Sequence, residues 1–313
     1  MSKISEAVDR HAERFLALPG VSAISVGKKS VGGKATDKDA IVLHVDRKQD
    51  QGDPARTIPA DLDGHPTDVV EQTFDFRTTA TDPFERHDPV IGGLSITAFL
   101  DPDKYGSIGC FIRADGTVNG VPAGDYLLTN HHVAASATEP SLDQTMIQPG
   151  EVDDPTDKDT VGMCVASARG PQFDCAIVAL TNRGFVNAVP DRPLHPGNRT
   201  LRGIGTAQLN DRVYKFGATT RFTTGVVTNL NFAYRGVGVD VQNAIVVQGT
   251  NGAVWCNGGD SGSVLVRAAD DFVVGLNFRA DNNTGTPQKG FTTGLAYDIT
   301  TQVQQFSHAV NLA

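Results

Sequence analysis

Apolar residues near the start of the chain fall at Ile4, Val8, Ala12, Phe15 and Leu16, the spacing of one helix face, and Pro19-Gly20 ends the pattern. The period then changes to two. Val21–Val26 reads as a strand, and in the segment 40–46 Ile41, Leu43 and Val45 alternate with Val42, His44 and Asp46. A third apolar stretch at Val69-Val70 completes a small α+β domain over residues 1–76. Residues 77–90 are polar, carry two Asp-Pro steps and predict a linker. From 91 to 313 no amphipathic helix is expected before Ile299–His308. Short β-branched runs recur instead, among them Leu94–Phe99, Tyr126–Thr129, Cys175–Leu180, Val213–Phe216, Ala244–Gln248 and Phe272–Leu276. That spacing predicts an all-β fold, a sandwich or a pair of barrels, rather than βαβ units. Its length suits two barrels, about 91–195 and 200–300.

Composition narrows the classes of function. A chain of 313 residues with 39% hydrophobic side chains can bury a sizeable core. With 27 basic against 36 acidic residues the net charge is −9, which repels nucleic-acid backbones and acidic lipid. No basic run exceeds Arg47-Lys48, so neither nucleic acid nor membrane is an expected partner. No apolar run reaches the ~18 residues of a membrane span, and the mixed charges of Met1–Leu18 do not read as a secretory signal. Four cysteines, Cys110, Cys164, Cys175 and Cys256, include no CxxC pair. A reduced, cytoplasmic protein is the expectation, with no metal and no cofactor. The acidic run Glu151–Asp159 lacks EF-hand spacing and reads as a solvated loop.

Three segments carry chemistry. In Leu127–Val133 an apolar strand runs into the pair His131-His132. In Phe173–Leu180 Asp174 heads a run too apolar to hold an unpaired charge, so it calls for a partner. In Gly258–Ser263 glycines surround Ser261, letting successive N–H groups converge on one oxyanion. A serine nucleophile needs a neighbouring base, and that base needs an orienting group on its other nitrogen.

Leu128–Val133, Asp174–Ile177 and Gly259–Gly262 resemble the three signatures of the chymotrypsin/trypsin-like serine proteases, in the order His, Asp, Ser and separated by 42 and 87 residues. Val213–Thr220 with Thr223-Thr224-Gly225 resembles the segment that opens that family's second barrel. Gly106–Cys110 and Gln148-Pro149-Gly150 resemble an intracellular bacterial and plant branch of narrow-leaf type, whose protease domain follows a small N-terminal domain similar to residues 1–75. The resemblance implies two six-stranded chymotrypsin-like β-barrels with a C-terminal helix, and a serine endopeptidase acting on protein or peptide substrates without a cofactor. It implies Ser261 as nucleophile, His132 as general base, Asp174 as the residue orienting it, and the N–H groups of Gly259 and Ser261 as the oxyanion hole. Trp255, Phe278, Arg279 and Ala280 would line the substrate. The N-terminal domain is expected to regulate access or bind a partner or a second copy.

Each assignment has a plainer counterpart. His131 reads as a turn residue bonding backbone, Ser263 as pointing away from Ser261, and Cys175 as an inert buried thiol. Arg279 reads first as a surface salt-bridge partner and second as a preference for an acidic substrate residue. In secreted trypsins the counterpart of Asp260 pairs with an N-terminus freed by cleavage. Val90-Ile91-Gly92-Gly93 resembles such a start, yet an internal partner without processing is the expectation here. Val133 and Trp255 depart from secreted trypsins, in which cysteine and aspartate stand. A catalytically silent binding or scaffold protein on the same fold is the alternative.

Overall fold

Ser2 opens the first helix by accepting the Ser5 N–H on its hydroxyl at 3.3 Å, and α1 (Lys3–Leu16) turns Ile4, Ala7 and Phe15 inward. They pack on Ile41 and Leu43 of β2 (Lys34–Val45). That strand pairs antiparallel with β1 (Val21–Val31) and parallel with β4 (His65–Glu71), which pairs in turn with β3 (Asp61–Leu62). This is the unit Met1–Thr78; a second unit covers Thr79–Ala313. The computed structural model describes residues 2–16, 18, 21–31, 34–45, 58–72, 81–100, 105–134, 143–150, 156, 158–192, 197–236, 239–281, 285–287 and 289–313.

The second unit begins with a seven-stranded sheet. Its strands are β5 (Ser95–Ala98), β6 (Tyr105–Ser107), β7 (Phe111–Ala114), β8 (Gly124–Thr129), β9 (Thr145–Ile147), β10 (Thr160–Gly170) and β11 (Phe173–Leu180). Their order, β6-β5-β9-β10-β11-β8-β7, curls into a half-barrel over Leu94, Ile96, Phe111, Leu127 and Val178. Residues 82–88 are tied to it. The Arg183 guanidinium donates to Asp88, to the His87 carbonyl and to Gln148. The pair β12 (Ala188–Pro190) and β13 (Asn198–Thr200) leads on to the next sheet.

The second sheet uses β14 (Gly203–Ile204), β15 (Arg212–Gly217), β16 (Arg221–Gly236), β17 (Val239–Gly249), β18 (Val264–Arg267) and β19 (Phe272–Ala280). After a short hairpin of β20 (Gly285–Thr286) and β21 (Gly290–Phe291), β22 (Thr293–Asp298) pairs with both β17 and β19 and so closes six strands into a barrel. Alternation along β15 sends Val213 and Lys215 into that barrel, while Tyr214 and Phe216 face the half-barrel. Ile112, Leu128 and Ile177 of the half-barrel meet Tyr214, Phe216 and Leu276 there. Asp298 caps α3 (Ile299–Val303) by accepting the Thr301 N–H, and Ile299 and Val303 seal the same core.

All four cysteines are free thiols and buried. Burial pushes Cys110 and Cys256 up to about 12, Cys164 up to about 11 and Cys175 far above the ordinary thiol value. The native protein is therefore expected to take up no iodoacetamide at pH 8 and to react at all four sites once unfolded. Mass spectrometry of the alkylated chain checks this, and modification of the folded protein would contradict the placement.

Candidate active site

The histidine pair sits where β8 turns into α2 (His131–Ala134). Thr129, the last residue of β8, is buried and its hydroxyl donates to the Ser107 carbonyl at 2.9 Å, fixing the strand end. His132 then meets Asp174 at two points. Its backbone N–H donates to Oδ1 at 3.1 Å, and Nδ1 lies 2.7 Å from Oδ2. That contact, with the charge on Asp174, identifies Nδ1 as the protonated nitrogen of the neutral ring. Among the described residues nothing bonds Nε2, and the side chain is about one-third exposed (36%).

Asp174 is held from both sides of its own backbone. Its N–H donates to Gln302 Oε1 at 3.1 Å, and its carbonyl accepts from Asn130 Nδ2 at 2.6 Å. Gln302 is fully buried on α3, so the last helix of the chain positions the carboxylate. Burial pushes the Asp174 carboxyl up, but the hydrogen bond and charge of His132 outweigh it and hold the group below the usual carboxylate range. His131 is not a backbone-bonding turn residue; its Nδ1 meets the Ser167 hydroxyl at 3.1 Å. Burial pushes its imidazole down.

Ser261 lies on the loop entering β18 and is tied to the half-barrel, its carbonyl accepting the Ser107 N–H at 2.7 Å. Gly262 has φ +93°, and a β-carbon there would collide with the Ser107 carbonyl and the Thr129 hydroxyl. The Ser and His loops are thus locked against the same two residues. The structure does not join Ser261 to His132 by a hydrogen bond. Its Oγ makes a long, weak contact to the Phe278 carbonyl at 3.4 Å instead. Ser263 is buried and donates to the Asp260 carbonyl, out of reach as a nucleophile.

Asp260 has an internal partner. Lys215 Nζ lies 3.1 Å from Oδ2 and both side chains are wholly buried. The carboxylate also accepts from Thr220 Oγ1 at 2.6 Å and from the backbone N–H groups of Asn257, Thr219 and Thr220. Ile91, the residue resembling a freed N-terminus, is buried in the half-barrel core. Sequence reasoning missed Lys215 as this partner. The signal was a lone cation at an inward position between Tyr214 and Phe216, flanked at i−2 by Val213.

The four residues expected to line the substrate separate. Phe278 stacks on Tyr297 with ring centroids 4.0 Å apart, and its carbonyl reaches Ser261. Arg279 is exposed and pairs with no carboxylate among the described residues, so the expected salt bridge is not formed. Ala280 is half-buried opposite Gly294. Trp255 is buried in the closed barrel with Val213, Val247 and Leu265, and its ring lies 5.4 Å from Lys215 Nζ. The acidic run is described only at Thr156 and at 158–159, where Asp159 accepts the Thr156 N–H and hydroxyl.

A half-barrel and a closed six-stranded barrel, joined where a histidine–aspartate pair and a glycine-flanked serine loop meet, define a chymotrypsin-like fold. The chain belongs to the trypsin-like peptidase domain family, whose pattern matches residues 106–276. Among solved structures it is similar to a Nocardiopsis protease at 18% identity and a TM-score of 0.52, covering 69% of this chain and 96% of that one. Protease A of Thermobifida fusca is similar at 18% identity and 0.52, covering 72% and 98%. A Cellulomonas bogoriensis chymotrypsin is similar at 19% identity and 0.51, with the same two shares. At these identities the likeness is one of fold. No curated protein matches the chain.

Proposed function

We propose that the chain is a serine endopeptidase. The observation that carries this reading is the two-point contact between His132 and Asp174, which fixes the ring through Nδ1 and leaves Nε2 unoccupied. The reaction requires the Ser261 side chain to leave the Phe278 carbonyl and bring Oγ to that nitrogen. Nε2 takes the hydroxyl proton as Oγ bonds to the scissile carbonyl carbon, and the oxyanion is met by the N–H groups of Gly259 and Ser261. Among the described residues neither N–H has an acceptor, whereas those of Asn257, Gly258, Asp260, Gly262 and Ser263 all do. His132 then returns the proton to the leaving amine as the C–N bond breaks. A water repeats the sequence on the acyl-enzyme and frees Ser261.

The open edge of Phe278–Ala280 beside Ser261 offers backbone groups to an extended peptide. The chain would act in the cytoplasm, a reading supported by its four unpaired thiols, and would sit with the narrow-leaf-type branch, its residues 1–76 regulating access. Ser261→Ala is expected to abolish covalent labelling by a fluorophosphonate probe while leaving the thermal midpoint within about 2 °C. Undiminished labelling of that variant would reject the assignment.

A further inference from the structure

We propose that Thr219, backed by Tyr105, is a positioning residue that fixes the orientation of the peptide unit carrying the Gly259 N–H. The inference rests on the serine-peptidase reading and says what keeps its oxyanion site open. In a planar trans peptide the carbonyl of one residue and the N–H of the next point in opposite directions. Whatever captures the Gly258 carbonyl therefore aims the Gly259 N–H the other way. Thr219 captures it, with Oγ1 donating to the Gly258 carbonyl at 2.5 Å. A hydroxyl has a single hydrogen, so at the 3.1 Å contact between Thr219 Oγ1 and the Tyr105 hydroxyl it is Tyr105 that donates. The result is a directed chain, Tyr105 O–H to Thr219 O–H to Gly258 C=O, in which each bond polarises the next.

The surroundings make the arrangement hard to replace. Gly259 has φ +90°, and a β-carbon there would collide with Thr219 Oγ1 and with the Tyr105 ring. Thr219 is itself anchored, its N–H donating to Asp260 Oδ1 at 3.0 Å. Tyr105 is braced edge-on by Phe84, with centroids 5.1 Å apart. The next carbonyl, that of Gly259, is taken by the Ser107 hydroxyl at 2.9 Å. Each carbonyl from Asn257 to Ser261 thus has a donor outside the hole, and the two N–H groups left over are those the reaction needs. Without the Thr219 hydroxyl the 258–259 peptide is free to rotate and to present an acceptor, rather than a donor, to a developing oxyanion.

The test measures the rate of fluorophosphonate labelling in the full-length chain. Thr219→Val keeps the shape and removes the donor. It is expected to slow labelling by about 10–100-fold, less than the ~10²–10³ seen when an oxyanion donor is lost outright, because a freed peptide still samples the productive orientation. Thr219→Ser restores the hydroxyl and should label within about threefold of the parent, and Tyr105→Phe, which weakens the chain without breaking it, should lose about threefold. Equal rates for Thr219→Val and the parent, or a Thr219→Ser variant as slow as Thr219→Val, overturn the proposal. If Thr219→Val lowers the thermal midpoint sharply, Tyr105→Phe decides, and an unchanged rate there overturns it. A parent protein that does not label at all overturns the peptidase reading and this inference together.

Discussion

Lys215→Met is expected to lower the stability of the Thr79–Ala313 unit by about 3–5 kcal/mol, the range for removing one partner of a buried ion pair. Methionine preserves the volume of the stem, so packing around Trp255 and Val213 is kept and the loss is electrostatic. Asp260 stays wholly buried with a negative charge and no cation. For a unit of this size the thermal midpoint should fall by roughly 6–20 °C. Lys215→Met combined with Asp260→Leu removes the unpaired charge but should recover only part of the stability, because three backbone N–H groups and the Thr220 hydroxyl lose their acceptor. It should not recover labelling of Ser261, because the Asp260 carboxylate also holds the N–H groups of Asn257, Thr219 and Thr220. Calorimetry, read beside labelling rates, checks both halves. A single variant as stable as the parent would show that the pair does not carry the loop.

Much of the closed barrel was legible because its strands alternate strongly. Val213–Phe216, Ala244–Gln248 and Phe272–Leu276 all lie within observed strands. Two of the longer strands that escaped did so for a physical reason. In β10 the residues Gly162, Ala166, Ser167 and Ala168 are too small to register as an apolar period, yet neighbours on both sides pair along this strand. In β22, Gly294 and Ala296 pack tightly in a central position, where small residues serve better than branched ones. The site divides the same way. His132, Asp174 and Ser261 announce themselves through residue type beside strand ends and glycines. The groups that position them do not. Gln302 lies 128 residues from Asp174, and Tyr105 114 residues from Thr219, so their roles arise from long-range closure and leave no local signature. Trp255, expected near the substrate by motif position, has its side chain in the barrel core.

Asp174→Asn should reduce turnover by about 10⁴-fold with little change in fold. The reason is the proton map around His132. As a carboxylate, Asp174 can only accept, and its two oxygens take the His132 N–H and Nδ1–H. In the asparagine variant Oδ1 can still accept the backbone N–H, which places the amide NH2 where Oδ2 was. Two donors cannot share that contact, so the ring proton moves from Nδ1 to Nε2, the nitrogen that accepts from Ser261 in the proposed mechanism. The backbone of residue 174 cannot shift to relieve the conflict, because Gln302 and Asn130 grip it from either side. A second consequence is thermodynamic. The native carboxyl titrates below its unfolded value, so its contribution to stability is present above about pH 4 and is lost as pH falls through the depressed value. Asp174→Asn should erase that part of the acid-side slope while leaving the neutral fold intact. Steady-state hydrolysis of a peptide ester, paired with acid titration of the thermal midpoint, separates the two effects. Turnover within tenfold of the parent would mean that the carboxylate does not set the tautomer and that another group orients His132.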